Sequence, residues 1–169
     1  MSRHVDRQTV DLSAFPDLVV IYLGMRVRTL TGIRTLSGFG PRIMEAGDAR
    51  PEGLLHFEQN IIYGFFPLHL GMRWYWKDFE SMERWTRSEP HLRWWQDFLR
   101  NSGGTGFWHE AYFMRGGMEA VYDDLNLPSF GFQAFAPNVP SKGPMFSARK
   151  RLGKAEGPPP PQGISESDA

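Results

Sequence analysis

Three features of the amino-acid sequence predict an α+β fold. Residues 18–28 alternate between one wholly apolar row and one mixed row, the period of a strand packed on one face. Residues 67–77 and 106–114 repeat that alternation. Between them lie two stretches, 31–45 and 79–98, whose apolar residues recur at helical spacing. With a second strand in the ambiguous stretch 54–64, the order is strand, helix, strand, strand, helix, strand. That is the ferredoxin-like βαββαβ pattern. One such sheet has an apolar face left over, and a second copy set against it, in a dimeric α+β barrel, would cover it.

Each element has a local reason. In the first strand, Val19, Ile21, Leu23, Met25 and Val27 alternate with Val20, Tyr22, Gly24, Arg26 and Arg28. Ile33, Leu36, Ile43 and Met44 follow at looser helical spacing, and Gly38, Gly40 and Pro41 predict a break in that helix. Residues 47–53 read as a loop, and 61–63 as the start of the second strand. In the third strand, Leu68, Leu70, Met72, Trp74 and Trp76 share a face, opposite His69, Gly71, Arg73, Tyr75 and Lys77. Phe79, Met82 and Trp85 then step by three. Ser88, followed by Glu89 and Pro90, reads as the N-cap of a further helical segment. There His91, Trp95 and Phe98 share one face. The fourth strand sets Phe107, His109, Ala111 and Phe113 against Trp108, Glu110, Tyr112 and Met114. Residues 118–125 read as a short helix and 130–135 as a closing strand.

The domain is expected over 17–136. Residues 1–16 read as a flexible lead-in. Residues 137–169, rich in Pro, Gly, Ser and charge, read as a flexible tail with too little apolar surface to offset its ordering entropy. Its basic cluster, Arg149, Lys150, Arg151 and Lys154, is expected to be solvated.

Composition excludes several function classes. Among 169 residues there is no Cys, which removes disulfides, thiolate nucleophiles and Cys-based metal centres. Nineteen basic and nineteen acidic residues cancel, so no global field attracts nucleic acid or an anionic membrane. No apolar run is long enough to span a bilayer, and the polar first residues are unlike a signal peptide, so the expected location is the cytoplasm. Aromatics reach 14%, and most basic residues are Arg. That pairing suits a flat or carboxylate-bearing ligand, and equally a packed core or a subunit interface.

Few side chains are left to carry chemistry. His91 sits on a helix among tryptophans, and His109 on a strand beside Glu110. One His from a helix and one from a strand can face each other across a slot that fits a flat tetrapyrrole, one imidazole on the iron and the other working opposite. A histidine among aromatics is also commonly a hydrogen-bonded core residue. His109 and Glu110 are adjacent on a strand and point to opposite faces, so they form no dyad. Ser88 lacks a G-x-S-x-G context, and the glycine pairs do not match phosphate-binding spacing.

Two runs carry a resemblance: MRWYWKDFESMERWTRSEPHLRWWQDF (72–98) and GFWHEAYFMRGGMEAVYDDL (106–125), with VVIYLGMRVRTL (19–30) also fitting. They resemble a family of small monooxygenase-like proteins similar to a monooxygenase of fungal secondary metabolism, within the dimeric α+β-barrel superfamily. That superfamily includes cofactor-free antibiotic-biosynthesis monooxygenases, haem-degrading monooxygenases and aldoxime dehydratases. The last are haem lyases that turn aldoximes into nitriles, with an iron-binding helical His and a strand His followed by Glu. The matching positions are His91 and His109. Trp76 resembles a Trp that presses on haem in the haem-degrading branch, whose helical His would fall near Trp95. Aldoxime dehydratases are about twice as long, with two fused halves.

The resemblance implies a homodimeric small-molecule oxidoreductase, monooxygenase-like, with haem b as the expected cofactor. His91 would ligate the metal, with Trp76 and Trp95 beside the cofactor. His109, Glu110 and Arg73 would be catalytic, and Arg26 and Tyr112 would hold substrate. An aldoxime-dehydrating haem lyase, a cofactor-free monooxygenase or isomerase, and a non-catalytic ligand-binding dimer are the alternatives.

Overall fold

The computed structural model describes residues 6–114, 117–124 and 130–152. Its elements run β1 (Arg7–Val10), β2 (Val19–Val27), α1 (Leu30–Asp48), β3 (Leu54–Phe65), β4 (Leu68–Trp76), α2 (Phe79–Thr86), α3 (His91–Arg100), β5 (Thr105–Phe113), β6 (Tyr122–Asp123), β7 (Asn138–Pro140) and α4 (Ala148–Arg151). The chain forms two compact units, one of residues 17–113 and one of the segments before and after them. No helix among the described residues is long and apolar enough to cross a membrane.

Residues 17–113 hold an antiparallel sheet in the order β3-β4-β2-β5. With α1 between β2 and β3, and α2 and α3 between β4 and β5, this is the ferredoxin-like unit. Register places Leu23 level with Met72 on one side and His109 on the other, so these three share a face. Val19, Met72, Trp74 and Trp76 from that face pack with Ile43 of α1 and Met82 of α2 to make the core. Burying an aliphatic side chain such as Ile43 or Met82 contributes about 1.5–3 kcal/mol.

The expected break in the first helix does not occur: α1 is continuous with Pro41 inside it. Proline removes one backbone donor, and the buried Ile43 and Gly47 hold the second half onto the sheet. The ambiguous stretch 54–64 is strand throughout, with irregular register that obscured its alternation. Ser88 is not an N-cap. Its hydroxyl donates to the Trp85 carbonyl at 2.8 Å, and Pro90 precedes α3. The cap is Asp78, whose carboxylate accepts from the Ser81 amide at 2.7 Å and starts α2. The Ser81 side chain is the main reason Asp78 ionises below its ordinary range, the Ser81 amide adding to it against burial.

The second unit corrects several expectations. The lead-in carries β1, the middle strand of a sheet ordered β6-β1-β7. The front of the tail carries β7 and α4, and residues 153–169, with Lys154, lie outside the described residues. Arg151 is not solvated: its guanidinium bonds the Glu119 carboxylate and the Met145 carbonyl, with the side chain 5% exposed. Over 117–124 there is no helix. Tyr122 and Asp123 pair with Gln8 and Arg7 instead, because the run is too short for periodicity to decide. In place of the expected closing strand, Gly131–Ala134 forms a 3₁₀ turn. Gly131 has φ +60°, and a Cβ there would come within 2.8 Å of the Tyr122 hydroxyl, so only glycine fits.

Candidate functional site

Period two decides which side chains meet. On β5, Phe107, His109 and Ala111 turn toward the helices, and Trp108, Glu110 and Tyr112 turn away. Between the helix side of the sheet and α2 and α3 lies a cavity of about 360 Å³. Trp76, Trp95, His91 and His109 all line it, together with Trp74 and Trp85. A crevice of about 70 Å³ extends it past His91 and Trp94.

His91 opens α3 directly after the α2–α3 turn, and that turn holds it: its Nδ1 lies 2.8 Å from the Thr86 carbonyl. A carbonyl only accepts, so Nδ1 carries the hydrogen and Nε2 keeps its lone pair. The Trp85 ring packs on the imidazole at 4.8 Å. Burial holds His91 below the ordinary histidine range; the Thr86 bond opposes this and the nearby His109 adds to it. A neutral imidazole fixed through Nδ1 is the form that offers Nε2 to a metal.

His109 lines the same cavity on the edge strand and is exposed, which places it at the mouth. Trp76 is buried in the wall, stacked on Trp74 at 6.1 Å and tilted on Trp85 at 5.6 Å. Trp95 is half-exposed, stacked on Phe98 and edge-on to Phe107. The buried Nε1 of Trp74 has no acceptor among the described residues. Among the described residues, no Asp, Glu, Lys or Arg side chain lines the cavity.

The other four expected site residues lie on the opposite face. Arg73 pairs with Glu58, donates to the Tyr22 hydroxyl at 2.8 Å and sits over the rings of Tyr22 and Tyr75. Burial opposes its charge, but the Tyr22 bond, Tyr75 and Glu58 outweigh it and hold the guanidinium above its ordinary range. The Tyr112 hydroxyl donates to Glu110 at 2.5 Å, and Arg26 is exposed at the far end of the same face. There Trp108 donates to His69 Nε2 at 2.7 Å, and Tyr63 packs on both. Gly24 permits this, since a Cβ would come within 2.7 Å of the Trp108 indole. Arg73, Arg26, Glu110 and Tyr112 therefore form no single site with the two histidines.

Sequence reasoning missed Trp74, Trp85, Phe107 and Thr86. The first three were signalled by the strand alternation and by the three-residue step from Met82 to Trp85. The Thr86 carbonyl left no side-chain signal.

A family model described as Monooxygenase af470-like matches residues 18–132. No curated protein matches the chain. Among solved structures, an aldoxime dehydratase (OxdRE) in complex with butyraldoxime is similar at 26% identity and a TM-score of 0.60, over 88% of this chain and 43% of the other. A second aldoxime dehydratase is similar in fold at 22% identity and a TM-score of 0.59, over 79% and 39%. The chain thus spans less than half the length of either protein.

Proposed function

Since the chain belongs to the monooxygenase af470-like family, we propose that it is a monooxygenase-like enzyme whose helix-side slot binds haem and a small, largely apolar substrate. One observation carries this reading: two imidazoles from different elements line one aromatic-walled cavity, and one is fixed in orientation by a backbone carbonyl at its Nδ1. The donor set fits the group. His91 offers Nε2 to iron, the Thr86 carbonyl fixes the ring, and Trp76, Trp85 and Trp95 supply flat apolar walls. Bound haem would supply the centre that activates oxygen or an N–O bond. The chain's own residues do the rest. His109, at the mouth, gives or takes a proton at a substrate heteroatom. The apolar walls exclude water.

A second reading, dehydration of an aldoxime to a nitrile, is favoured by the 26% identity with an aldoxime dehydratase across 88% of this chain. R–CH=N–OH would lose water to give R–C≡N: as the N–O bond breaks, His109 would deliver the proton with which hydroxide leaves as water, and as the C≡N bond forms, the C–H proton would pass to the deprotonated imidazole and restore it. We also propose a homodimer, because the face carrying Tyr63 and Tyr112 leaves these rings 44% and 49% exposed. Light scattering after size exclusion tests it, and a monomer overturns it.

Haem titration of the purified protein tests the main reading. A Soret band is expected in the wild type and its loss in His91→Ala. No band in the wild type overturns the haem assignment. Oxygen uptake against nitrile formation from butyraldoxime then separates the two reactions.

A further inference from the structure

A second cavity, of about 300 Å³, lies between α1 and the strands β2 and β4. We infer that it holds the apolar tail of an elongated substrate whose reacting end lies in the histidine slot. The inference rests on the reading of that slot as the reaction site.

The gap has a definite origin. Helix α1 is pinned close to the sheet at both ends by glycines. A Cβ at Gly32 would meet the Gly104 carbonyl at 2.3 Å, and one at Gly47 would meet the Phe57 ring at 2.7 Å. Midway, α1 places the small Ser37 and Gly40 in the lining beside Leu36, Ile43 and Met44, and nothing lies within 4 Å of a Cβ built on Gly40. The sheet opens at the same level. Strand β3 shifts register between Glu58 and Ile61, Asn60 sits at φ +60°, and no β3 residue pairs with Met72. Small residues above and an irregular strand below leave a volume that neighbouring side chains do not fill.

The cavity is continuous in lining with the slot. Leu23 borders the second cavity, the small crevice beside His91 and the slot itself. Met25 and Ile43 border both the crevice and the second cavity. Its walls include Leu36, Leu68, Leu70 and Met72, with no charged side chain, and the exposed Asn60 is at the rim. A lining of this kind rewards methylenes or an aryl ring and rejects a charged tail.

The test uses the full chain and straight-chain 1-alkanols from butanol to dodecanol as probes, read by displacement of an apolar fluorescent dye. Affinity is expected to rise about threefold to fourfold per added methylene beyond the length that fills the slot. Gly40→Leu projects into the open space, should keep butanol affinity and should lower the decanol-to-butanol ratio by tenfold or more. Ser37→Met fills the same space one turn earlier and serves as the second variant, with melting curves confirming folding. An unchanged chain-length series in both folded variants overturns the tail subsite alone. Butanol that fails to bind, or binds equally to Ala111→Phe with its slot narrowed, overturns the slot reading instead.

Discussion

On β5 alone, Phe107, His109 and Ala111 face the helices while Trp108, Glu110 and Tyr112 face away, and β2 and β4 alternate with it in register. The two faces of the sheet therefore share every strand but differ in chemistry. On the helix face, stacked indole rings and a histidine held by a backbone carbonyl line a cavity that no Asp, Glu, Lys or Arg among the described residues borders. On the other face, aromatic hydroxyls and an indole N–H are hydrogen-bonded, and Arg73 and Glu58 form an ion pair with little exposure. An aromatic residue packs as a wall on one face and serves as a hydrogen-bonding partner on the other. What sets its use is its parity along the strand, more than its identity.

The largest expected effect breaks the comparison at neighbouring residues. His109→Gln should lower turnover roughly 10²–10⁴-fold in whichever reaction the wild type performs, the usual loss for a proton-transfer group. It should leave the haem band in place. Glu110→Gln, one residue on, should keep turnover within about threefold, because its carboxylate is on the far face. Equal losses in both variants would refute the assignment of chemistry to one face.

Next in size is a stability effect confined to the charged face. Arg73→Met leaves the Glu58 carboxylate without its guanidinium partner, with only 12% of that side chain exposed. The cost should approach about 3 kcal/mol in urea unfolding, the lower end for breaking a buried pair. Adding Glu58→Gln should recover part of it, and the haem band should be unchanged in both variants. A lost band in Arg73→Met would mean that the two faces are coupled.

Much of this contrast was legible in the sequence. The alternation of 18–28, 67–77 and 106–114 placed three strands and separated His109 from Glu110, helical spacing placed two helical regions, and 54–64 stayed ambiguous. Together they brought His91 and His109 toward one slot. Alternation could not say whether Arg73 and Arg26 share a face with His109, because rows on different strands are matched to faces only once register is known. The register of β3 was hidden by its irregularities, so Glu58 was not seen as the partner of Arg73. The outer segments were misread for another reason. Low apolar content argued for disorder, yet β1 and β7 satisfy their backbone groups by pairing, and the Arg151 charge is met by Glu119.

A smaller effect concerns pH. Burial disfavours the His91 imidazolium, so the unfolded chain binds that proton more readily than the native one. The contribution to stability is complete above the ordinary histidine value of 6.5 and is lost as pH falls through it toward the lower native value. His69, held low by burial and by Arg26, adds a slope of the same sign. Urea midpoints should therefore fall between pH 8 and about pH 5, His91→Gln should flatten the curve in part, and adding His69→Gln should flatten it further. A curve unchanged by His91→Gln would show that the imidazole is not buried.

The smallest effect isolates one hydrogen bond on the charged face. Tyr112 donates to Glu110, and that bond is the main reason its phenol ionises above the ordinary tyrosine range, the carboxylate charge adding to it. Ultraviolet difference absorbance across alkaline pH should show Tyr112 titrating late along with Tyr63, which burial holds above its ordinary range, and Glu110→Gln should bring the Tyr112 step back toward its ordinary value. Because Tyr112 is exposed, Tyr112→Phe should leave the urea midpoint unchanged while removing one phenol from the late step. If the Tyr112 step stays late in Glu110→Gln, the phenol is held by something other than this carboxylate. A second copy of the chain seated on the same face is then the first candidate, and dilution, which would separate the two copies, should abolish the shift.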